Sequence, residues 1–177
     1  VGLLAGLACY LAIMLYVNRQ LKARLAGVET ALAEQRVDVA IARLEEMRSL
    51  SKWQPMINKV VDGQVGVIVY AYKQDPVRAR PMLENTLPQN WHAKIMLAAI
   101  HYQNRNEEAR KATFEEALKV TKKEGLLWSA YAWCEWKRGH TKEAIDILGR
   151  ARKELPDDEA ITRNLQTLQS SKKMKMS

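Results

Sequence analysis

At 177 residues, with 28 Lys and Arg against 20 Asp and Glu, the chain carries a net charge of +8 and has room for one domain plus an appendage. That charge invites a nucleic-acid reading. However, Arg19, Lys22 and Arg24 near one end and Lys172, Lys173 and Lys175 at the other supply six of the eight, leaving an almost neutral body without the footprint a nucleic acid needs. Two cysteines, Cys9 and Cys134, exclude a disulfide framework and agree with a reducing compartment.

The first element, residues 1–17, contains no charged residue and is built from Leu, Ala, Gly and Ile with Tyr10 and Tyr16. It predicts a transmembrane anchor. A helix of that length spans roughly 26 Å, slightly short of a roughly 30 Å hydrocarbon layer, and the chain opens at Val1 without Met, so more of the span is expected upstream. A buried core helix would show a polar stripe. A signal peptide would end in a small-x-small cleavage site, and Gly6-Leu7-Ala8-Cys9 departs from a lipoprotein box in having Gly three residues before Cys. Gly2 and Gly6, and likewise Ala8 and Ala12, stand four apart and give a face on which a partner's membrane helix could approach. The cations Arg19, Lys22 and Arg24 follow directly; they suit an anionic membrane surface and orient the remaining chain to the cytoplasm in a single-pass arrangement.

Beyond the anchor the chain is rich in helix formers with apolar residues three and four apart, so an all-α fold is expected. Breaks are predicted near Arg36-Val37-Asp38, Ser49-Leu50-Ser51, Asp62-Gly63, Gln74-Asp75-Pro76, Leu87-Pro88-Gln89, Asn104-Arg105-Asn106, Lys123-Glu124-Gly125, Arg138-Gly139-His140 and Leu155-Pro156-Asp157. They divide the chain into a juxtamembrane helical hairpin (18–52), a second hairpin (53–88), a third (89–124), a fourth (125–158), and a capping helix with a basic tail (159–177). In the last, Ile161, Leu165 and Leu168 are expected to face inward. The tail lysines are expected to be solvated or to meet lipid.

Shifting the chain by 34 residues against itself places Leu97-Ala98 on Tyr131-Ala132, Phe114 on Leu148 and Ala117 on Ala151. Residues 125–158 then resemble a tetratricopeptide repeat, with Trp128, Tyr131-Ala132, Gly139, Ala144, Leu148, Ala151 and Pro156 at that family's spacing. Glu135 departs from it, standing where the family usually has Tyr. Residues 89–123 resemble a divergent repeat in which Ala109 comes one residue early and no Gly occupies the turn. The resemblance implies an α-solenoid of hairpins with a C-terminal cap. It assigns Trp128 and Tyr131 to the interior and turns Trp133 and Trp136, with Ile95, Ala99 and Tyr102 of the preceding repeat, toward a concave groove suited to an apolar or amphipathic protein segment. The Lys and Asn with which related repeats clamp acidic C-termini are replaced here by Ile95, Ala99, Ser129 and Trp133.

No catalytic constellation stands out. His92, His101 and His140 form no metal-ligand spacing, no Cys-x-x-Cys occurs, and Gly63-Gln64-Val65-Gly66 is too short for a phosphate loop, so a helix start or close helix contact explains it better. The pairs Glu45-Glu46, Glu107-Glu108 and Glu115-Glu116 read as solvated helix faces. No enzyme activity, cofactor, metal or small-molecule substrate is expected. The expectation is a membrane-anchored scaffold that assembles other proteins, with a layout similar to the lipopolysaccharide assembly protein B family. The alternatives are a periplasmic anchored chaperone, like those of cytochrome c maturation, and a permanent accessory subunit of a membrane enzyme.

Overall fold

A computed structural model of the chain describes residues 19, 26–52 and 56–175; among these it contains helices and turns and no strand. The expected anchor at residues 1–17, with Gly2, Gly6, Ala8 and Ala12, lies outside the described residues, as do Lys22 and Arg24. Arg19 is described and exposed. No described helix is long and apolar enough to cross a membrane.

Helix α1 covers 26–33, and α2 (Val37–Glu46) runs into a 3-10 turn at Met47–Lys52. Then follow α3 (Ile57–Tyr72), α4 (Pro76–Glu84), α5 (Trp91–Gln103), α6 (Glu107–Val120), α7 (Gly125–Lys137), α8 (Thr141–Glu154) and α9 (Glu159–Gln169). Side chains that compete with the helical backbone in turns fix several starts. Asp75, Asn90, Asn106 and Asp158 each cap a helix by accepting from the amide three residues on, at 2.9, 3.2, 3.1 and 3.0 Å. Pro76 adds a preset φ in the first turn of α4.

Three of the turns share one geometry. Gln35, Arg105 and Gly139 have φ of 58°, 55° and 87°, and the next amide bonds back to the carbonyl five residues earlier: Arg36 to Ala31, Asn106 to His101, and His140 to Glu135, at 2.8, 2.9 and 3.0 Å. This double-backed ending satisfies the helix's last carbonyls and reverses the chain. Glycine adopts the conformation freely at Gly139, whereas Gln35 and Arg105 accept it at a cost of about 1 kcal/mol or somewhat more. Gln74 (φ 52°) does the same in a turn one residue wider, closed by Asp75 N–H to the Val69 carbonyl at 3.3 Å.

The reversals pair α3 with α4, α5 with α6 and α7 with α8, while α3 rests on α5, α5 on α7 and α7 on α9. Two apolar clusters result. One joins Ala31, Leu44, Met47, Ile57, Val61, Val65, Leu83 and their neighbours to Ala93, Leu97 and Ile100 of α5; the other joins Ala98 of α5 to Phe114, Trp128, Tyr131, Leu148, Ile161, Leu165, Leu168 and Met174. Leu97, Ala98, Phe114 and Ala117 and the residues 34 positions on, Tyr131, Ala132, Leu148 and Ala151, are all buried.

Two expectations need correction. Asp62-Gly63 is no break, because α3 runs through it: a Cβ on Gly63 would collide with the Thr86 hydroxyl, and one on Gly66 would sit 2.9 Å from Leu83 Cδ2. These glycines let α3 lie directly against α4 and the chain beyond it, at an expense in helix propensity of about 1 kcal/mol each. Nor is the basic tail wholly solvated, since Met174 is only 4% exposed within the second cluster.

Candidate functional site

The chain reversals on either side of α6 set α5 beside α7 and bring the expected groove residues together. Ile95, Ala99 and Tyr102 on α5 and Trp133 and Trp136 on α7 are all partly buried, and the four larger ones border the second cluster without joining its interior. Tyr102 and Trp133 lie in tilted contact, with ring centroids 6.1 Å apart at 43°. By contrast Trp128, on the same helix, is 3% exposed and donates its indole N–H to the Lys122 carbonyl at 2.9 Å. Tyr131 is 5% exposed and stacks on Phe114 at 4.7 Å, and burial, followed by the nearby Glu115 carboxylate, pushes its phenol up to about 12. One helix therefore carries both kinds of aromatic.

Cations flank the partly exposed rings. Lys137 Nζ stands 5.4 Å from the Trp133 ring centre and 5.1 Å from that of Trp136. The Arg138 guanidinium lies 4.5 Å over Tyr102 and donates to the Tyr102 carbonyl at 2.6 Å. Both belong to the C-terminal end of α7, where carbonyl ends favour positive charge, and each ring contact contributes about 0.5–1 kcal/mol. The arrangement offers an apolar patch edged with positive charge. Ser129, which the resemblance placed at a groove position, is 2% exposed, because α7 turns that side toward its neighbours.

Beneath this surface lies a feature that the sequence reading did not assemble. Glu135 and Arg110 are both fully buried and pair at 2.8 Å; His140 Nδ1 meets the other Glu135 oxygen at 2.8 Å, and Lys111 approaches it at 3.7 Å. Arg110 also lies 5.9 Å from the Tyr102 ring centre, so the pair sits directly under the aromatic face. The signal was present in the same 34-residue shift: Arg110 falls on Ala144, a close-packing position, and Glu135 is the other interior departure, of opposite charge. Two departures that look like lapses singly are complementary together.

Nothing else described converges on chemistry. Among the described residues no three His, Cys, Asp or Glu side chains are grouped so as to hold a metal. Cys134 is 7% exposed and burial pushes its thiol up to about 11, so it is protonated and inert at neutral pH. His101 is 5% exposed, and burial, with Arg80 nearby, holds its imidazole below its ordinary value, favouring the neutral ring. The Glu115 carboxylate of the Glu115-Glu116 pair is bidentate to Arg150 at 2.7 and 2.9 Å, and Glu116 accepts from the buried Lys94 at 2.8 Å, so both are tied into inter-helix ion pairs. No protein-family model, curated protein or solved structure matches the chain.

Proposed function

We propose that the protein is a non-catalytic scaffold of the tetratricopeptide kind, a helical solenoid held at a membrane by its N-terminal segment and presenting the α5–α7 face to other proteins. The observation that carries this reading is the division of aromatics on α7: Trp128 and Tyr131 complete the core, while Trp133 and Trp136, with Tyr102 beside them, remain partly open at the surface. Large rings already held in place add contact area at small entropy cost, which is the make-up of binding hot spots. The flanking Lys137 and Arg138 favour an amphipathic segment that brings apolar side chains to the rings and an acidic group to their edge. The shared turn geometry and the matched burial at a spacing of 34 support stacked hairpins, whose apolar faces are covered only by their neighbours.

The test is co-purification from solubilised membranes beside melting curves. Trp133→Ala and Trp136→Ala should melt near wild type yet lose the partner, a loss of about 2 kcal/mol or more in affinity, with Tyr102→Ala showing the same defect more weakly. Trp128→Ala should instead cost roughly 3 to 5 kcal/mol of stability. Groove variants that unfold as badly as Trp128→Ala would remove the reading. A cytoplasmic orientation follows from Arg19, Lys22 and Arg24, and an impermeant thiol reagent reads it from a cysteine introduced at exposed Glu143, against which buried Cys134 is silent.

A further inference from the structure

The chain beyond α9 folds back along the helix it has just left. Ser171 takes φ of 56°, and Lys172 N–H returns to the Thr167 carbonyl at 2.9 Å. Lys175 N–H then reaches the Asn164 side-chain oxygen at 3.2 Å, and Met174 between them is buried among the side chains of the second cluster. Polar tails rich in lysine ordinarily stay in water, because ordering them costs entropy and draws like charges together. This one is pinned at two points, by an apolar side chain and by a buried amide.

The consequence is a cleft of about 360 Å³ lined by Arg163, Asn164, Thr167, Lys172, Lys173 and Lys175. Among the described residues no carboxylate lines it. None of its four cations forms an ion pair among the described residues. Asn164 is 4% exposed, and while its oxygen holds Lys175, its Nδ2 donor has no hydrogen-bond partner. Four unpaired cations around one cleft are an arrangement short of an anion.

We propose that this cleft binds a phosphate group. Several acceptor oxygens on one compact centre match a guanidinium fork and ammonium groups from the returning chain, whereas a carboxylate has only two oxygens to offer them. The phosphate belongs either to a small soluble ion or ester or to a lipid headgroup, sources that share this chemistry. The site lies at the end of the chain opposite Arg19 and on residues that play no part in the aromatic face, so it stands or falls independently of the scaffold reading.

The experiment uses the full chain in neutral-detergent micelles. One arm titrates radiolabelled inorganic phosphate by equilibrium dialysis; the other dopes the micelles with phosphatidic acid and measures retention. Saturable binding near one phosphate per chain in either arm is expected, and the arm in which it occurs names the source. Arg163→Gln combined with Lys173→Gln should weaken it about tenfold or more. Met174→Gln, which keeps every charge but unpins the tail, should weaken it too, as should Asn164→Asp, which puts a carboxylate into the cleft while keeping the acceptor for Lys175. Lys142→Gln, an equal loss of charge elsewhere, should change nothing. Absence of binding in both arms, or wild-type binding by Met174→Gln and Asn164→Asp in chains that melt normally, overturns the proposal.

Discussion

Glu135 and Arg110 have no exposed surface, and each is tolerable only because of the other. Burying a lone charge costs several kcal/mol after relaxation, so the carboxylate must recover that from Arg110 and from the His140 ring at 2.8 Å. Arg110 recovers less, for its Nε and Nη1 have no partner among the described residues. The pair should therefore be costly to break and cheap to replace. Glu135→Ala is expected to destabilise the protein by about 3–5 kcal/mol, since it strands the guanidinium, whereas Arg110→Met with Glu135→Leu should return most of that. Denaturant midpoints of the two singles and the double decide it; a Glu135→Ala chain within about 1 kcal/mol of wild type would show that the interior admits water or relaxes around Arg110. This pair also marks where sequence reasoning stops. Trp128 and Tyr131 were legible as interior because the resemblance to a repeat assigned them there, but a buried ion pair is recognised only when both partners are placed, and these stand on different helices 25 residues apart. The docked tail was missed for a related reason: Lys172, Lys173 and Lys175 dominate its composition, and the single Met174 between them decides its position.

At the scale of elements, turns were easier to see than contacts. Gln74-Asp75-Pro76, Asn104-Arg105-Asn106, Arg138-Gly139-His140 and Leu155-Pro156-Asp157 all separate helices, because caps, a left-handed residue or a proline act locally and leave their mark on neighbouring letters. Gly63 misled for the opposite reason. Its role is set by Thr86 and Asn90, more than twenty residues away, and within its own neighbourhood a glycine only weakens a helix. The α7–α8 pair makes the same point with alanine. Ala132 and Ala144 are both fully buried where the two helices of that hairpin meet, so Ala132→Leu or Ala144→Leu should force the backbones apart at a cost on the order of 1 to 3 kcal/mol. The corresponding substitution at partly exposed Ala99 should cost much less, the added methyls having room at the surface. Thermal melts of the three variants read the difference, and equal melting temperatures would mean that the close approach does not depend on small side chains.

At the scale of the molecule, the described helices α2 to α9 pack chiefly on those next to them or one hairpin away, and the apolar interior is correspondingly two clusters that meet at α5. In such an array stability is the sum of local units and the interfaces between them, rather than one cooperative whole. Leu83, fully buried in the first cluster, and Leu148, fully buried in the second, give matched probes of this. Truncating either to Ala should cost about 2–5 kcal/mol, enough to open the unit that contains it. If units are coupled only through α5, Leu148→Ala should speed amide exchange across α6 to α9 and in the docked tail while α2 to α4 keep their protection, and Leu83→Ala should do the reverse. Hydrogen exchange read by mass spectrometry on the full chain resolves the two halves. A uniform loss of protection along the chain in both variants would mean that it folds as a single unit, and that the interface at α5 is as strong as the hairpins it joins.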